Sequence, residues 1–346
     1  MADAEPAPNV TESCFEMSNT QKIDTTVLAD QDPGAQLKAQ RRTLPGFDVS
    51  VGPIASLAAE RARLQALRWQ HFEVKPMGAT IGAELVGLDL SVALAEPVVA
   101  EIRQALHDYK VIFFRDQPLT GSQHVAFARR FGELEIHPFI PGNSAHPELV
   151  RFEKSADVGG YENGWHHDVT WRAEPSMGAV LRAISVPSTG GDTLFSDQCA
   201  AYDALDTETK SLLEGLNASH DFMQAFGAQV PPDHRQATRL QYPIVQHPVV
   251  CAHPVTGRKH LYVNVFFTTE INGLDPDQGQ DLLRRLTQQA ATAEFQCRFQ
   301  WEDHSVAFWD NRAVQHYASS DYWPDVRVME RASIKGTAPT SSATHG

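Results

Sequence analysis

The chain has few cysteines and no long apolar stretch, and each deficit excludes a class of protein. Its cysteines, Cys14, Cys199, Cys251 and Cys297, show no C-x-x-C spacing, which indicates reduced thiols rather than a disulfide framework. A run of about 18 apolar residues, which a transmembrane helix needs, does not occur. The first residues lack a basic region followed by an apolar one, which argues against a secretory signal. We therefore expect a cytoplasmic protein that does not enter a membrane.

Positive charge is scarce as well. The chain has 29 lysines and arginines against 43 aspartates and glutamates, a net charge of −14. Nucleic-acid binding requires a basic surface that neutralises phosphates, so no nucleic-acid partner is expected. With 346 residues, of which 42% are hydrophobic, the chain is long enough to bury a full core. One large domain fits this length better than two equal domains.

The first 50 residues differ in composition from the rest of the chain. They are rich in Ala, Pro, Asp, Thr and Gln with little periodicity, which is typical of a mobile extension. The segment ASLAAERARLQALRW then predicts a short amphipathic helix near 56–69, capped by Ser56. We therefore predict an N-terminal extension over 1–70, a main domain over 71–340 and a tail over 341–346. The sequence does not indicate what the extension does.

Short strands and turns follow. FEVKPMGATIGAELVGLDL predicts a hairpin that turns at Gly82. A helix over 98–109, the buried strand KVIFFRDQ and a helix capped by Thr120 or Ser122 come next.

Later in the chain, apolar Phe295, Cys297, Phe299 and Trp301 alternate with polar residues, which predicts a strand with one buried face. Helices at about 200–216 and 276–291 interrupt the strands. Many short strands separated by turns predict a mainly β fold with flanking helices and a jelly-roll (double-stranded β-helix) core.

Two histidines and an aspartate stand in a pattern suited to a metal. On an extended strand, His166 and Asp168 of GWHHDVTW would point to one face while His167 points away. His316 in WDNRAVQHY offers a third ligand. A 2-His-1-carboxylate set binds one face of Fe(II) and leaves the other face open for chemistry. An H-x-D triplet alone is a weak signal in a chain with 15 histidines, so its context decides.

Two arginines supply part of that context. Arg327 and Arg331 follow His316 by 11 and 15 residues. A guanidinium grips a carboxylate or sulfonate through two parallel hydrogen bonds and stays charged when buried. Two such groups near a ligand histidine indicate two bound anions. The alternative is that both arginines pair with the chain's own abundant acids.

Four segments together resemble a known family. In order along the chain, from about Phe72 to about Pro339, they are GWHHDVTW, PSTGGDTLFSD, HPVVCAHPVTGRKHLYVN and WDNRAVQHYASSDY. With them the chain resembles the TauD/TfdA family of Fe(II)/2-oxoglutarate-dependent dioxygenases. The resemblance implies Fe(II), 2-oxoglutarate and O2 as the cofactor and cosubstrates.

The resemblance also implies roles for particular residues. His166, Asp168 and His316 match the iron ligands, and Thr193 and Arg327 match the residues that hold the distal carboxylate of 2-oxoglutarate. No catalytic residue beyond the metal site is implied.

For the substrate, a small organic anion, the resemblance places the head group against Arg331, His137 and the backbone N–H of Val169, with Phe226 and Phe267 lining the same pocket. Retention of both Arg331 and His137 favours a sulfonate or sulfate-like head group. Hydroxylation of the adjacent carbon would give an aldehyde plus sulfite or sulfate, together with succinate and CO2.

The chain departs from the taurine enzyme at the other end of the substrate. Where that enzyme carries a tyrosine, an asparagine and a serine, this chain has Ile140, Glu162 and Ala225. Loss of a phenol and a hydroxyl makes the pocket more apolar, which suits a small amine such as taurine poorly. A longer sulfonate, an alkyl sulfate or an aryloxyalkanoate is favoured instead.

Residues around the triad have candidate supporting roles. Trp165 and Trp309 are candidates for the cavity wall. Asp310 or Asn311 is a candidate for orienting the His316 region, because a ligating histidine usually needs a partner on its other ring nitrogen. Core packing is the alternative for each of them.

Other functions stay open. The same chemistry on an aryloxyalkanoate or another small carboxylate uses the same residues. A non-oxidative metal hydrolase would need a general base near the metal and has no use for Thr193 and Arg327 as a cosubstrate clamp. A jelly-roll binding protein needs no intact triad. The resemblance implies a homodimer or a homotetramer.

Overall fold

The structure is a computed structural model that describes residues 42–44, 50–137, 140, 142–160 and 162–341. The chain divides into two compact units, Met1–Pro53 and Ile54–Gly346. In the first unit, strands β1 (Arg42–Thr43) and β2 (Ser50–Val51) form an antiparallel pair. The predicted mobility of residues 1–41 and most of the predicted tail, residues 342–346, lie outside the described residues.

Short strands make up most of the second unit. They are β3 (Glu73–Pro76), β4 (Ala83–Val86), β5 (Val111–Phe114), β6 (Gly142–Asn143), β7 (His146–Lys154), β8 (Gly178–Ser185), β9 (Thr193–Asp197), β10 (Asn217–His220), β11 (Val245–Pro248), β12 (Val250–Ala252), β13 (Lys259–Leu261), β14 (Thr268–Ile271), β15 (Gln296–Phe299), β16 (Val306–Asp310), β17 (Val314–Ala318) and β18 (Arg327–Ile334).

The helices of this unit lie between the strands. They are α1 (Ser56–Ala66), α2 (Glu96–Tyr109), α3 (Gly121–Arg129), α4 (Gln198–Asp203), α5 (Thr207–Leu213), α6 (Phe222–Phe226), α7 (Arg235–Gln241) and α8 (Pro276–Gln288). No described helix combines the length and the apolar character that a bilayer span requires.

Two sheets face each other across an apolar core. The larger has the order β3-β4-β5-β16-β8-β18-β7-β6, in which only β4 and β5 pair in parallel, and the smaller has the order β15-β9-β17. Alternate side chains of β5 separate cleanly, because Val111 and Phe113 pack with Phe195 of the smaller sheet while Ile112 and Phe114 face the other way. Two sheets with a shared core form the predicted jelly roll, so the fold class is confirmed.

Helices α2 and α3 cover the outer face of the larger sheet. Ile102 and Leu106 of α2 and Val125 and Ala128 of α3 are buried there, at the spacing of one helical face. Thr120 begins α3 with a capping box shared with Gln123, so of the two predicted caps Thr120 is the right one.

The predicted hairpin and the predicted alternating strand are both present. β3 and β4 pair antiparallel, and Gly82 has a φ of +82° at the turn. A β-carbon at Gly82 would lie 2.5 Å from Cys297 Sγ, so both the positive φ and the lack of space require glycine here. In β15 and at Phe295 just before it, Phe295, Cys297 and Phe299 are buried while the intervening side chains are partly or fully exposed.

Two helical predictions are wrong in detail. Ser56 is the first residue of α1 and makes no capping hydrogen bond. The predicted helix over 200–216 is two helices, α4 and α5, because the Asp206 side chain accepts the N–H of Thr209 and starts a new one. Helix α1 also lies within the larger unit, with Leu64 buried and Glu60 paired with Arg258 at 2.6 Å, although the sequence placed it in the N-terminal extension.

Candidate active site

One cavity of about 440 Å³ brings all of the predicted site residues together. Both sheets contribute to its wall. The predicted residues that line it are His137, His166, Asp168, Val169, Thr193, Phe226, Phe267, His316, Arg327 and Arg331.

The three predicted metal ligands meet at one point in this cavity. Potential ligand atoms of His166, Asp168 and His316 all lie within 4.8 Å of one another. His166 Nε2 is 4.0 Å from Asp168 Oδ1, and His316 Nε2 is 3.9 Å from Asp168 Oδ2. A backbone bridge fixes the two histidines, since each donates its N–H to the carbonyl of the other, at 3.1 and 2.9 Å. The spacing fits a single ion.

The donor chemistry of this set fits a divalent cation. The His166 Nδ1–H donates to the Gly164 carbonyl at 2.7 Å, so the lone pair lies on Nε2. Burial lowers the pKa of His166, and burial together with the neighbouring His166 lowers that of His316 to about 3. Burial alone would raise the pKa of Asp168, but Arg331 and the two histidines lower it well below its usual range. At neutral pH the set is two neutral imidazoles and one carboxylate, which is the protonation state that a metal requires.

The segment that carries Asp168 is a turn and not the extended strand that we expected. His166 forms only an isolated bridge with His316, and a turn begins at Asp168. Val169 has a φ of +51°, which is rare for a β-branched residue. His166 and Asp168 still face the cavity. His167 is buried elsewhere, 4.8 Å from the Tyr262 ring, and neither of its ring nitrogens bonds to a described residue.

Arg327 is a buried cation with no described acid within ion-pair distance, although Glu162 and Asp192 lie close enough to raise its pKa. Its exposure is 7%, it forms no ion pair with a described residue, and its Nε and Nη2 have no acceptor. The rings of Trp301 and Tyr322 lie 5.9 and 5.8 Å from the guanidinium carbon, and burial lowers its pKa. Trp301 Nε1–H donates to Thr193 Oγ1 at 2.9 Å. An unpaired buried guanidinium is costly, so this end of the cavity is built for an anion.

Arg331 is paired, and its partner is a predicted metal ligand. Its Nη1 donates to both carboxylate oxygens of Asp168, each at 3.1 Å. Its Nε is buried without an acceptor, and the guanidinium lies 4.9 Å from the Phe152 ring. Arg331 therefore still has donor capacity for a second anion.

His137 and two phenylalanines complete the predicted substrate pocket. His137 Nδ1 accepts the N–H of Ile140 at 3.0 Å, so the ring proton resides on Nε2. Burial and the positive charge of Arg331 lower the His137 pKa to about 4, which keeps the ring neutral. The rings of Phe226 and Phe267 are 6.0 Å apart in an apolar cluster.

The cavity also includes residues that have no signal in the sequence, Lys154 and Phe266, and positions at which the chain departs from the taurine enzyme. Lys154 and Glu162, which form an ion pair at 3.0 Å, both line the cavity, and Phe266 stacks on His166 at 4.6 Å. Ile140 and Ala225, the two positions at which the sequence predicts a loss of polarity, line it as well. Each residue comes from a different element, and only the fold brings them together.

The predicted supporting roles are only partly right. Trp309 lines the cavity, whereas Trp165 packs 5.6 Å from Tyr317. His316 Nδ1 has no partner among the described residues, so neither Asp310 nor Asn311 orients that ring. Asp310 binds His253 at 2.9 Å, and Asn311 binds the backbone of Asp168.

Comparison with known proteins identifies the same family as the sequence motifs do. The family described as "Taurine catabolism dioxygenase TauD, TfdA family" matches residues 73–333. An alkylsulfatase from Acinetobacter baylyi is 34% identical over 288 residues, covering 80% of this chain and 88% of that protein. An α-ketoglutarate-dependent 2,4-dichlorophenoxyacetate dioxygenase from Cupriavidus pinatubonensis is 34% identical over 260 residues, covering 70% and 90%. The crystal structure of a taurine dioxygenase from Burkholderia xenovorans is 36% identical with a TM-score of 0.69, covering 80% and 96%.

Proposed function

The chain belongs to the TauD/TfdA family of α-ketoglutarate-dependent dioxygenases, and we propose that it oxidises the carbon next to the anionic head group of an organosulfonate or an alkyl sulfate. Enzymes of this family use Fe(II), 2-oxoglutarate and O2. The observation that carries the proposal is a single cavity in which two arginines with spare donors, Arg327 buried and Arg331 half-buried, flank a 2-His-1-carboxylate triad.

The reaction supplies two anions, and each arginine has a donor for one of them, since Arg327 has no ion pair and Arg331 keeps a spare N–H beside its pair with Asp168. Arg327, with Thr193 beside it, would hold the distal carboxylate of 2-oxoglutarate, because it has no acid of its own. His166, Asp168 and His316 would hold Fe(II), which with O2 and 2-oxoglutarate supplies the oxidant. The substrate is then left with Arg331.

The head-group end of the pocket suits a tetrahedral anion. Three residues that line the cavity carry donors for it: Arg331 with a spare N–H, neutral His137 with its Nε2–H, and Val169 with its backbone N–H. A sulfonate or sulfate ester presents three terminal oxygens, whereas a carboxylate presents only two. This donor count supports the sulfur-containing head group over the carboxylate.

The tail end of the pocket suits an apolar chain. Ile140, Ala225, Phe226 and Phe267 all line the cavity. An alkyl group buries its surface against them at a gain of about 0.8 kcal/mol per CH₂. A protonated amine, as in taurine, would have to lose its hydration there. We therefore propose an alkyl sulfate or a longer alkyl sulfonate as the substrate.

Arg331 and His137 would determine which carbon reacts, and the products follow from the chemistry of that carbon. Arg331 and His137 hold the head group, so the adjacent C–H bond is the one presented to the triad. Replacement of this C–H by C–OH gives an unstable adduct, which loses the head group as sulfite or sulfate and leaves an aldehyde. One O2 is consumed. One of its oxygen atoms forms the C–OH group, and the other enters the succinate that is formed with CO2 from 2-oxoglutarate.

Turnover of a substrate panel tests the proposal. The Fe(II)-loaded enzyme is exposed to O2 with 2-oxoglutarate and with hexyl sulfate, hexanesulfonate, taurine or phenoxyacetate, and succinate, sulfate, sulfite and aldehyde are measured. We expect the two hexyl compounds to give O2-dependent succinate matched by released sulfate or sulfite. Turnover of phenoxyacetate alone would establish the carboxylate alternative. O2-independent hydrolysis would establish a metal hydrolase, and binding without turnover a binding protein.

We also propose a cytoplasmic location and a homodimer or homotetramer. The three described cysteines, Cys199, Cys251 and Cys297, are free thiols, which supports a reducing compartment. The family resemblance supports the oligomer. Light scattering of the purified protein tests it, and a monomer at micromolar concentration would contradict it.

A further inference from the structure

Asn311 binds the protein segment that carries one of the proposed iron ligands. It lies in the turn between β16 and β17 and is 1% exposed. Its Oδ1 accepts the backbone N–H of Asp168 at 2.7 Å, and its Nδ2 donates to the carbonyl of Asp168 at 2.9 Å. Nδ2 also donates to the carbonyl of Ser176 at 3.1 Å. One side chain therefore holds both backbone polar groups of the ligand residue.

Asp168 needs such a partner because no strand holds it. The turn that begins at Asp168 leaves the ladder of the sheet, so the hydrogen bonds that would fix a strand residue are missing. The next residue, Val169, has a φ of +51°. A β-branched residue keeps such a conformation only when its surroundings enforce it. The contacts of Asn311 supply that enforcement immediately before Val169.

The same contacts tie the two halves of the triad together. Asn311 precedes β17, which carries His316, whereas Asp168 belongs to a segment far away in the chain. The His166–His316 bridge fixes the two histidines, but it does not fix the aspartate. Asn311 is the side chain that relates the backbone of Asp168 to the strand of His316.

We propose that Asn311 is a positioning residue, which holds the Asp168 carboxylate at the distance from His316 that the metal requires and turns the Val169 N–H toward the substrate head group. The first part rests on the proposed metal site, and the second on the proposed substrate. The Val169 N–H makes no hydrogen bond to a described residue and Val169 lines the cavity, as the second part requires.

Gln117 provides a matched control for Asn311. It is also a buried amide, and its Oε1 accepts the N–H of Leu90 at 2.8 Å. Its Nε2 donates to the carbonyls of Leu88 and Arg115 at 3.0 and 2.8 Å. The two side chains thus make the same three kinds of backbone contact, but Gln117 makes them outside the active-site cavity.

The experiment compares Asn311→Ala and Gln117→Ala by anaerobic calorimetric titration of the full chain with Fe(II), without substrate. Loss of a residue that supports a ligand typically weakens metal binding about 10- to 100-fold, and we expect this for Asn311→Ala. Gln117→Ala is expected to lose comparable thermal stability and to keep the parent's Fe(II) affinity. Parental affinity in Asn311→Ala, or an equal loss in both variants, overturns the proposal.

Asn311→Ser covers the case in which the alanine variant does not fold. A single hydroxyl oxygen close to the backbone cannot hold the N–H and the carbonyl of Asp168 together, so we expect about a 10-fold loss of Fe(II) affinity. An unchanged affinity overturns the proposal. Because no substrate is present, this result is independent of the substrate proposed above. A rise in the KM for hexyl sulfate at saturating Fe(II) tests the part that concerns Val169, and an unchanged KM refutes that part alone.

Discussion

Arg327 and Arg331 lie on the same strand, β18, and line the same cavity, yet their surroundings differ in one respect. Arg327 has aromatic walls and no ion pair with a described acid, whereas Arg331 is bonded to the carboxylate of Asp168. In our proposal, the site of Arg327 is completed by a ligand that comes from solution. The charge of Arg331 is already balanced by a carboxylate of the protein, and in our proposal the same guanidinium also binds the substrate head group. The comparison teaches that a buried charge reports on a missing anion only where no acid lies beside it.

Replacement of Arg327 is expected to have the largest effect. Arg327→Met removes the charge and roughly keeps the volume. Loss of two charge-assisted hydrogen bonds, worth about 2 kcal/mol each, should raise the KM for 2-oxoglutarate roughly 1000-fold. Stability should stay the same or rise, since the variant removes an unpaired buried charge. Steady-state kinetics and thermal melting of the metal-free protein measure both, and a clearly lower melting temperature would mean that Arg327 is a structural cation.

Replacement of Arg331 should have a smaller effect on binding and the opposite effect on stability. Arg331→Met leaves Asp168 as a carboxylate without its cation. We expect a loss of about 2 kcal/mol in the free energy of unfolding, below the value for a fully buried pair because the cavity admits water. The KM for the substrate should rise roughly 100-fold, with 2-oxoglutarate binding little changed.

Addition of Fe(II) is the control for this variant. The ion would neutralise Asp168 in place of Arg331, so anaerobic Fe(II) should restore most of the lost stability. A variant that stays destabilised with Fe(II) has lost packing against Phe152 rather than a charge partner. An unchanged substrate KM would remove Arg331 from the head-group site.

The contrast between the two arginines could not be predicted from the sequence. Both follow His316 at similar spacing, and both were open to pairing with the chain's acids. That alternative is right for Arg331 and wrong for Arg327, and only the distances decide. The strand around Phe295–Trp301 and the triad residues could be predicted from the sequence, because alternation and motif spacing are local properties of the chain.

Contacts between distant segments could not be predicted, because they are not local properties of the chain. Asn311 was recognised as a candidate support for His316, but it contacts Asp168, and no periodicity encodes a side-chain bond between loops. The turn at Asp168 has no signal in the sequence, because the H-x-D spacing predicts a strand with both side chains on one face. The break between α4 and α5 had a signal, the capping Asp206, which a continuous helical pattern concealed.

The smallest expected effect is a change in the pKa of His137, which distinguishes the two arginines by their electrostatic influence on that ring. Burial is the main cause of the low His137 pKa of about 4, followed by the charges of Arg331 and Arg172, whereas Arg327 is not among the causes. Removal of the positive charge of Arg331 stabilises the protonated imidazole, so Arg331→Met should raise the His137 pKa toward its usual 6.5 without reaching it. Arg327→Met should leave it unchanged. Proton NMR titration of the imidazole resonances measures this, with His137→Gln to assign the signal.

The sign of the accompanying stability change can be worked out. A histidine whose pKa is lower in the folded than in the unfolded state costs stability as the pH falls from about 6.5 toward 4, because the unfolded chain binds the proton first. A higher folded pKa in Arg331→Met makes this loss smaller, although the variant is less stable at neutral pH. The hydrogen bond from the Ile140 N–H to His137 Nδ1 persists in both variants and continues to oppose protonation there. Equal shifts of the His137 pKa in both arginine variants would mean that the two guanidiniums influence His137 to the same extent. The distinction between the unpaired and the paired arginine would then fail.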